Sequence, residues 1–227
     1  MKGIISRTSI GLLAALLLAC SNVKKIEPQR YLALGDSYTI GESVAEQERW
    51  PVQLADTLTA LGIPFTAPRI IARTGWTTDE LQTALATSEI NDPYDWVSLL
   101  IGVNNQYRGR PVSTYLPEFR ALLEQAIQWA GNRPERVFVV SIPDWGAMPF
   151  AEGRDRQQIA QQIDDYNLAA QQLTERLNVH WVDITPLSRQ VDQHPEWVAA
   201  DGLHPSGAQY TAWVTSIFPW IQTSFND

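Results

Sequence analysis

The sequence is poor in cysteine, in basic residues and in long hydrophobic runs. Cys20 is the only cysteine among 227 residues, so no disulfide can form within the chain. Lys and Arg number 17 against 25 Asp and Glu, and they form no cluster of the kind that binds phosphate backbones, which argues against a nucleic-acid partner. Residues 10–19 are apolar or small, but this run is well short of the ~20 residues of a membrane-spanning helix.

The N-terminal segment has the features of an export signal. Lys2 and Arg7 precede the apolar run, which ends in Leu-Leu-Ala-Cys at Cys20. This ending resembles the lipobox of bacterial lipoproteins, in which the cysteine is lipidated and becomes the new N-terminus. The resemblance implies a signal peptide over residues 1–19 and a polar tether over residues 20–29. The alternative is an ordinary secretory signal with an incidental cysteine.

The lipobox-like ending also carries an expectation about location. A lipidated Cys20 would anchor the protein to a membrane of the bacterial cell envelope. Ser21, directly after the cysteine, resembles the signal for sorting to the outer membrane, at its periplasmic face. If the signal is an ordinary one, the protein is periplasmic or secreted.

From residue 30 onward the pattern predicts one α/β domain, residues 30–227. Hydrophobic residues make up 44% and charged residues 19%, which is typical of a globular protein with a core. Short apolar runs alternate with amphipathic patterns, and no internal repeat interrupts them. We predict strands at residues 31–34, 69–72, 96–101, 137–142 and 180–184. This alternation indicates a three-layer α/β/α sandwich around a parallel sheet of about five strands.

Several helix boundaries can be predicted from local signals. Thr77 with Glu80 three residues later forms a capping box. Ser206 is a good N-cap for the last helix, which contains Pro219. A long helix is predicted where apolar residues recur at intervals of three and four, from Ile159 to Leu177.

Four short segments lie where a parallel sheet places its functional groups. Gly-Asp-Ser-Tyr at 35–38, Arg-Thr-Gly-Trp at 73–76 and Gly-Val-Asn-Asn at 102–105 follow the first three strands. Asp-Gly-Leu-His-Pro-Ser at 201–206 precedes the last helix. Because parallel α/β sheets bind ligands at the carboxyl ends of their strands, we expect these segments to meet.

Ser37, Asp201 and His204 have the residue types of a catalytic triad. A serine hydroxyl is a poor nucleophile until a nearby base takes its proton. The His204 imidazole can act as base and then as acid near neutral pH. Asp201, three residues earlier, can accept the other ring N–H and hold the tautomer. Asp36 is expected to shape the turn before Ser37.

The four segments, in this order, resemble the conserved blocks of the SGNH/GDSL hydrolase family. The resemblance implies a flavodoxin-like fold, a serine esterase activity and no cofactor. It also implies an oxyanion hole made by the backbone N–H groups of Ser37 and Gly75 and by the side-chain amide of Asn104. The third block departs from the family pattern, because Asn105 stands where an Asp is usual; Asn104 is the donor, so we expect catalysis to survive.

Two tryptophans and one further histidine are also candidate site residues. Trp76 and Trp145 are candidates for a substrate wall, with core packing as the alternative. His194, Asp201 and His204 match no metal-ligand spacing, so we expect no metal.

The expected substrate is a small acyl ester or a lysophospholipid-type lipid. The alternatives are an O-acetyl group on a glycan, or a non-catalytic surface lipoprotein that binds glycan. The complete set of Ser37, Asp201 and His204 argues against a pure binding protein, which needs none of the three.

Overall fold

The computed structural model describes residues 27–90 and 93–225. Cys20, the predicted signal peptide and most of the predicted tether lie outside these residues. Gln29, the last tether residue, is held against the domain: its N–H donates to the Pro64 carbonyl at 2.8 Å and its carbonyl accepts from the Thr66 N–H at 2.9 Å.

The core of the domain is a five-stranded parallel sheet, as predicted. The strands are Tyr31–Gly35 (β1), Arg69–Ala72 (β2), Trp96–Leu100 (β3), Val137–Val140 (β4) and His180–Val182 (β5), in the order β2-β1-β3-β4-β5. Every residue of β1, β3 and β4 is buried, because helices cover both faces of the sheet.

Helices form the two outer layers. They are Ser37–Ile40 (α1), Trp50–Ala60 (α2), Thr78–Ala86 (α3), Val103–Tyr107 (α4), Val112–Trp129 (α5), Arg156–Arg176 (α6), Thr185–Ser188 (α7) and Gly207–Thr223 (α8). Short 3-10 turns lie at Glu46–Glu48, Pro134–Arg136, Trp145–Ala147, Pro149–Ala151 and Pro195–Trp197. Helices α2 and α8 pack against each other, and α3 and α6 both pack against α5. In the described part of the chain, no helix has the length and apolarity needed to cross a membrane.

The predicted caps are present at two helices. The Thr77 N–H donates to Glu80 Oε2 at 2.9 Å before α3. Ser206 Oγ accepts from the Gln209 N–H at 3.4 Å before α8. Pro219 lies inside α8, which continues to Thr223.

The strand order positions the site. Strand β1 lies between β2 and β3, so the connections leaving β1 and β3 diverge to opposite sides of the sheet. A crevice forms outside the carboxyl ends of the strands at such a reversal. Ser37 directly follows β1 and Asn104 follows β3, so both are at this crevice.

Candidate active site

Ser37 lies at the start of α1 with its reactive groups unengaged. Asp36 forms the turn before it, accepting the Tyr38 N–H at 3.1 Å, in the role predicted for it. Within residues 27–90 and 93–225, neither Ser37 Oγ nor the Ser37 N–H has a hydrogen-bond partner. Both groups are therefore available to a substrate.

His204 and Asp201 form a close pair. His204 Nδ1 lies 2.6 Å from Asp201 Oδ2, and the ring is 7% exposed. Asp201 Oδ1 also accepts the backbone N–H groups of Leu203 and His204, both at 2.9 Å. The loop is held in turn by the Ala199 N–H, which donates to the His204 carbonyl at 2.8 Å.

The protonation state of Asp201 determines the tautomer of His204. Burial acts to raise the pKa of Asp201, but hydrogen bonds from the His204 ring, from backbone N–H groups and from Ser43 outweigh it and hold that pKa well below its usual range. An ionised carboxylate only accepts hydrogen bonds, so His204 Nδ1 must carry the proton. Nε2 is then left unprotonated as the basic nitrogen.

The His204 ring packs beside the segment that contains Ser37. Its centroid lies 5.1 Å from that of Tyr38, the residue after Ser37. No hydrogen bond joins Ser37 to His204 among the described residues. Such contacts are often long in unliganded enzymes and shorten when substrate binds.

Asn104 and Gly75 lie close together at the crevice. Asn104 Nδ2 donates to the Trp76 carbonyl at 3.0 Å and to Asp36 Oδ2 at 3.4 Å. Gly75 has φ +85°, a conformation that favours glycine, and its carbonyl accepts from Arg108 Nη2 at 2.6 Å. The Gly75 N–H has no partner among the described residues.

Asp36 is fully buried behind Asn104. Burial raises the pKa of Asp36 to about 7, although hydrogen bonds from Tyr38 and Asn104 act to lower it. The charge on the group next to the Asn104 amide is therefore sensitive to pH near neutrality.

Asn105, the departure from the family pattern, joins the second and third blocks. Its Oδ1 accepts the Thr78 N–H at 3.1 Å and its Nδ2 donates to Thr78 Oγ1 at 2.7 Å. Thr78 Oγ1 in turn donates to Glu118. The buried amide is thus satisfied as both donor and acceptor, and it fixes the start of α3 against α4.

The other candidate residues have different surroundings. Trp76 is partly buried and packs against the core, and Trp145 is 4% exposed. The His194 ring stacks on Trp197, with 4.1 Å between centroids, and its Nδ1 lies 3.1 Å from Glu196. His194 therefore pairs with Glu196, whereas His204 pairs with Asp201.

Ser43 is a site residue that the sequence analysis missed. Its Oγ donates to Asp201 Oδ2 at 2.7 Å, although its φ of +65° is unfavourable for a residue with a Cβ. The neighbouring Gly41 and Glu42 N–H groups both donate to the Ser37 carbonyl at 3.0 Å. This turn therefore connects the segment that contains Ser37 to Asp201. The glycine at position 41 indicates a turn, but not its contact with Asp201.

We expect Ser43→Ala and Ser43→Gly to lower kcat by about threefold, since each removes one hydrogen bond to an exposed carboxylate. Ser43→Gly should be the more stable of the two, because glycine tolerates the positive φ. Ester hydrolysis and thermal unfolding of both variants test this. Wild-type kcat in both would show that the hydroxyl does not support Asp201.

Two cavities lie away from these residues. One of about 400 Å³ is lined by Ile40, Arg49 and Phe65, among others. The other, of about 210 Å³, includes Gln106 and Tyr166. Ser37, Asp201 and His204 line neither, so the chemistry of the side chains identifies the site better than cavity volume does.

Comparisons with known proteins show the family and the fold of this chain. The model of the GDSL-like lipase/acylhydrolase family matches residues 33–212. An acetylxylan esterase of Geobacillus stearothermophilus is 24% identical over 163 residues, which cover 66% of this chain and 71% of the relative. A crystal structure of an acetylxylan esterase from this organism has a TM-score of 0.64 at 20% identity, covering 87% of this chain and 96% of the other.

Two further solved structures share the fold. A lipase/acylhydrolase of Enterococcus faecalis has a TM-score of 0.64 at 24% identity, covering 86% of this chain and 96% of the other. A lipolytic protein of the G-D-S-L family from Veillonella parvula has a TM-score of 0.63 at 16% identity, covering 84% and 96%. The family match spans most of the sequence, and the chain belongs to the GDSL-like lipase/acylhydrolase family as a serine ester hydrolase.

Proposed function

We propose that this enzyme hydrolyses short-acyl esters through a covalent acyl-enzyme, with Ser37 as nucleophile and His204 as base. The observation that carries the proposal is the 2.6 Å pair of Asp201 and His204, which leaves Nε2 basic. As Ser37 Oγ bonds to the ester carbon, its proton passes to His204 Nε2, which then protonates the departing alcohol. In the second half of the reaction, water gives a proton to His204 Nε2 and attacks the acyl carbon. The proton then returns to Ser37 Oγ as the acid is released.

Three donors are suited to the oxyanion of the tetrahedral intermediate. The N–H groups of Ser37 and Gly75, which have no partner among the described residues, support this role, as does the Asn104 amide at the same crevice. Preorganised donors stabilise charge that develops in the transition state. Asn104 Nδ2 must exchange one of its present partners for the oxyanion.

We expect Asn104→Ala to lower kcat by ~10²–10³-fold with little change in KM, since the lost hydrogen bond matters mainly in the transition state. Steady-state kinetics on p-nitrophenyl acetate measure both constants. Asn105→Ala is the contrast: it removes the bonds to Thr78 and should lower the unfolding temperature. A rise in KM alone for Asn104→Ala would make Asn104 a substrate-binding residue.

The surface around the crevice favours a short acyl group. Arg73 and Thr74 are exposed next to Gly75, and Arg108 covers its carbonyl. The large hydrophobic side chains that the described residues expose are Leu61, Tyr107, Phe150 and Leu168, none of them on the Gly75 turn. Burial of each methylene of a long acyl chain contributes about 0.8 kcal/mol to binding. The turn at Gly75 offers little apolar surface for such burial.

Acyl-chain preference is the decisive experiment. Across p-nitrophenyl esters from acetate to palmitate, we expect kcat/KM to be highest at acetate to butyrate and to fall beyond. A lysophospholipid and an O-acetylated sugar should be tested in parallel. A preference for palmitate or for the lysophospholipid would overturn the short-acyl proposal.

Within short-acyl esters, we favour an O-acetylated sugar. A curated relative and a structural neighbour are acetylxylan esterases, and the exposed rings of Tyr107 and Phe150 offer flat apolar faces to a sugar ring. Release of acetate from acetylated oligosaccharides would support this assignment. Hydrolysis of p-nitrophenyl acetate with no release from any sugar ester would contradict it.

We also propose that Cys20 anchors the enzyme to a bacterial membrane. The lipobox-like ending at Cys20 supports this, and two or more lipid chains are what make such anchoring stable. Full-length protein and Cys20→Ala, expressed in a Gram-negative host, should partition to membranes and to the soluble fraction respectively. A soluble wild type without lipid mass would contradict the anchor.

A further inference from the structure

Three aromatic side chains form a cluster that we call the aromatic rim: Tyr107, Trp145 and Phe150. Trp145 is buried between the other two, at 5.1 Å from Tyr107 and 6.2 Å from Phe150 between centroids. Its Nε1 donates to Gln106 Oε1 at 2.7 Å, which fixes the indole. Tyr107 and Phe150 are 47% and 42% exposed, so two rings that pack on the fixed indole of Trp145 face solvent.

The aromatic rim adjoins the proposed catalytic residues on two sides. Tyr107 is three residues after Asn104 on α4, hence on the same side of that helix. The Phe150 N–H donates to the carbonyl of Gly202, between Asp201 and His204, at 2.9 Å. Because His204 hands its proton to the departing alcohol, a surface attached to the His204 loop lies on the alcohol side of the ester.

Arg154 covers the aromatic rim. Its guanidinium carbon lies 5.7 Å from the centroid of Tyr107, 5.6 Å from Trp145 and 5.9 Å from Phe150, within the range of cation–π attraction. Among the described residues no carboxylate lies within 4.0 Å of it. The adjacent Asp155 accepts the Gln158 N–H instead, as the cap of α6.

We propose that Arg154 and the aromatic rim bind an anionic group carried by the alcohol part of the substrate, with the sugar ring lying on Tyr107 and Phe150. A guanidinium held over rings, with no carboxylate partner in the described part of the chain, is suited to a carboxylate or a phosphate. The preferred substrate is then an O-acetylated acidic sugar rather than a neutral one. This inference rests on the proposed function, because it places the anion on the alcohol that His204 protonates.

The test compares substrates with and without an anionic group. An acetylated methyl glucuronoside is compared with its neutral carboxyl methyl ester, and 1-acetylglycerol 3-phosphate with monoacetylglycerol. We expect wild type to prefer the anionic member of the sugar pair by about fivefold in kcat/KM, through KM, as an exposed ion pair allows. The preference should shrink as NaCl is raised. A preference confined to the glycerophosphate pair would overturn the assignment to a sugar.

The decisive variant is Arg154→Gln, which should abolish the charge preference. Arg120→Gln is the matched control, since Arg120 is an exposed arginine on α5 that pairs with Glu124 at 3.2 Å. It should keep the wild-type ratio. Equal kcat/KM for the two sugar esters in wild type, or equal loss of preference in both variants, would overturn the proposal.

A parallel assay separates this proposal from the catalytic one. Hydrolysis of p-nitrophenyl acetate by wild type reports on Ser37 and His204 without an anionic group. If that hydrolysis is absent, the proposed function fails. If it is present without a charge preference, only the assignment of Arg154 fails.

Discussion

Ser37→Ala is expected to lower ester hydrolysis by about 10⁶-fold, because the proposed mechanism forms the acyl-enzyme on Ser37. Labelling by a fluorophosphonate probe should disappear as well, since the probe reacts with the activated hydroxyl. The unfolding temperature should stay at the wild-type value, because Ser37 Oγ has no hydrogen-bond partner among the described residues. Steady-state rates, probe labelling and thermal melts measure the three effects.

Ser216→Ala is the matched control for this loss. Ser216 is exposed on α8 and its Oγ bonds only weakly, at 3.5 Å, to the Ala212 carbonyl. The control should label and turn over like wild type. Labelling that persists in Ser37→Ala would mean that another residue is the nucleophile.

His204→Ala should be nearly as damaging as the loss of Ser37, with kcat reduced by about 10⁶-fold, because the hydroxyl then has no base. Asp201→Asn should retain more activity, at a loss of about 10⁴-fold, since the imidazole remains. The amide can present an N–H to His204 Nδ1, where the carboxylate now accepts at 2.6 Å. That contact favours the tautomer with the proton on Nε2, the nitrogen that must accept it from Ser37.

His194→Ala is the control for loss of an imidazole. Its ring stacks on Trp197 and pairs with Glu196 on the surface, so wild-type kcat is expected. Measurements at several pH values separate an altered tautomer from a misfolded site. Equal kcat in wild type and Asp201→Asn would remove Asp201 from the proposed mechanism.

The parts of this enzyme that could be predicted from sequence are encoded in short contiguous segments. Each strand was predicted to within two residues of its observed ends. For β1, β3 and β4 the reason is that buried parallel strands are apolar on both faces. The pair of Asp201 and His204 could also be predicted, since the two residues lie three positions apart on one loop. Local sequence suffices where the partners are local.

Features that depend on distant contacts could not be predicted. Ser43 reaches Asp201 across 158 residues of sequence, and nothing near Ser43 announces that contact. In the sequence Arg154 has no feature that distinguishes it from other surface arginines. Only in the folded structure does it lie over the Tyr107 ring. The role of Asn105, where the family pattern has Asp, also could not be predicted. Only its contact with Thr78, which in turn contacts Glu118, shows why an amide suits this position.

The direction of β1 has a consequence for how the enzyme faces its surroundings. The strand begins at Tyr31 and ends at Gly35, two residues before Ser37, so the chain enters the domain at the end opposite Ser37. Four steps of about 3.3 Å separate the two ends of the strand by roughly 13 Å. The bonds of Gln29 to Pro64 and Thr66 keep the entry point fixed.

The proposed lipid anchor at Cys20 would join the domain at this entry end, whereas Ser37 lies at the other end of β1. Under that proposal, soluble esters and polymer strands would reach Ser37 from the side of the domain that is away from the attachment point.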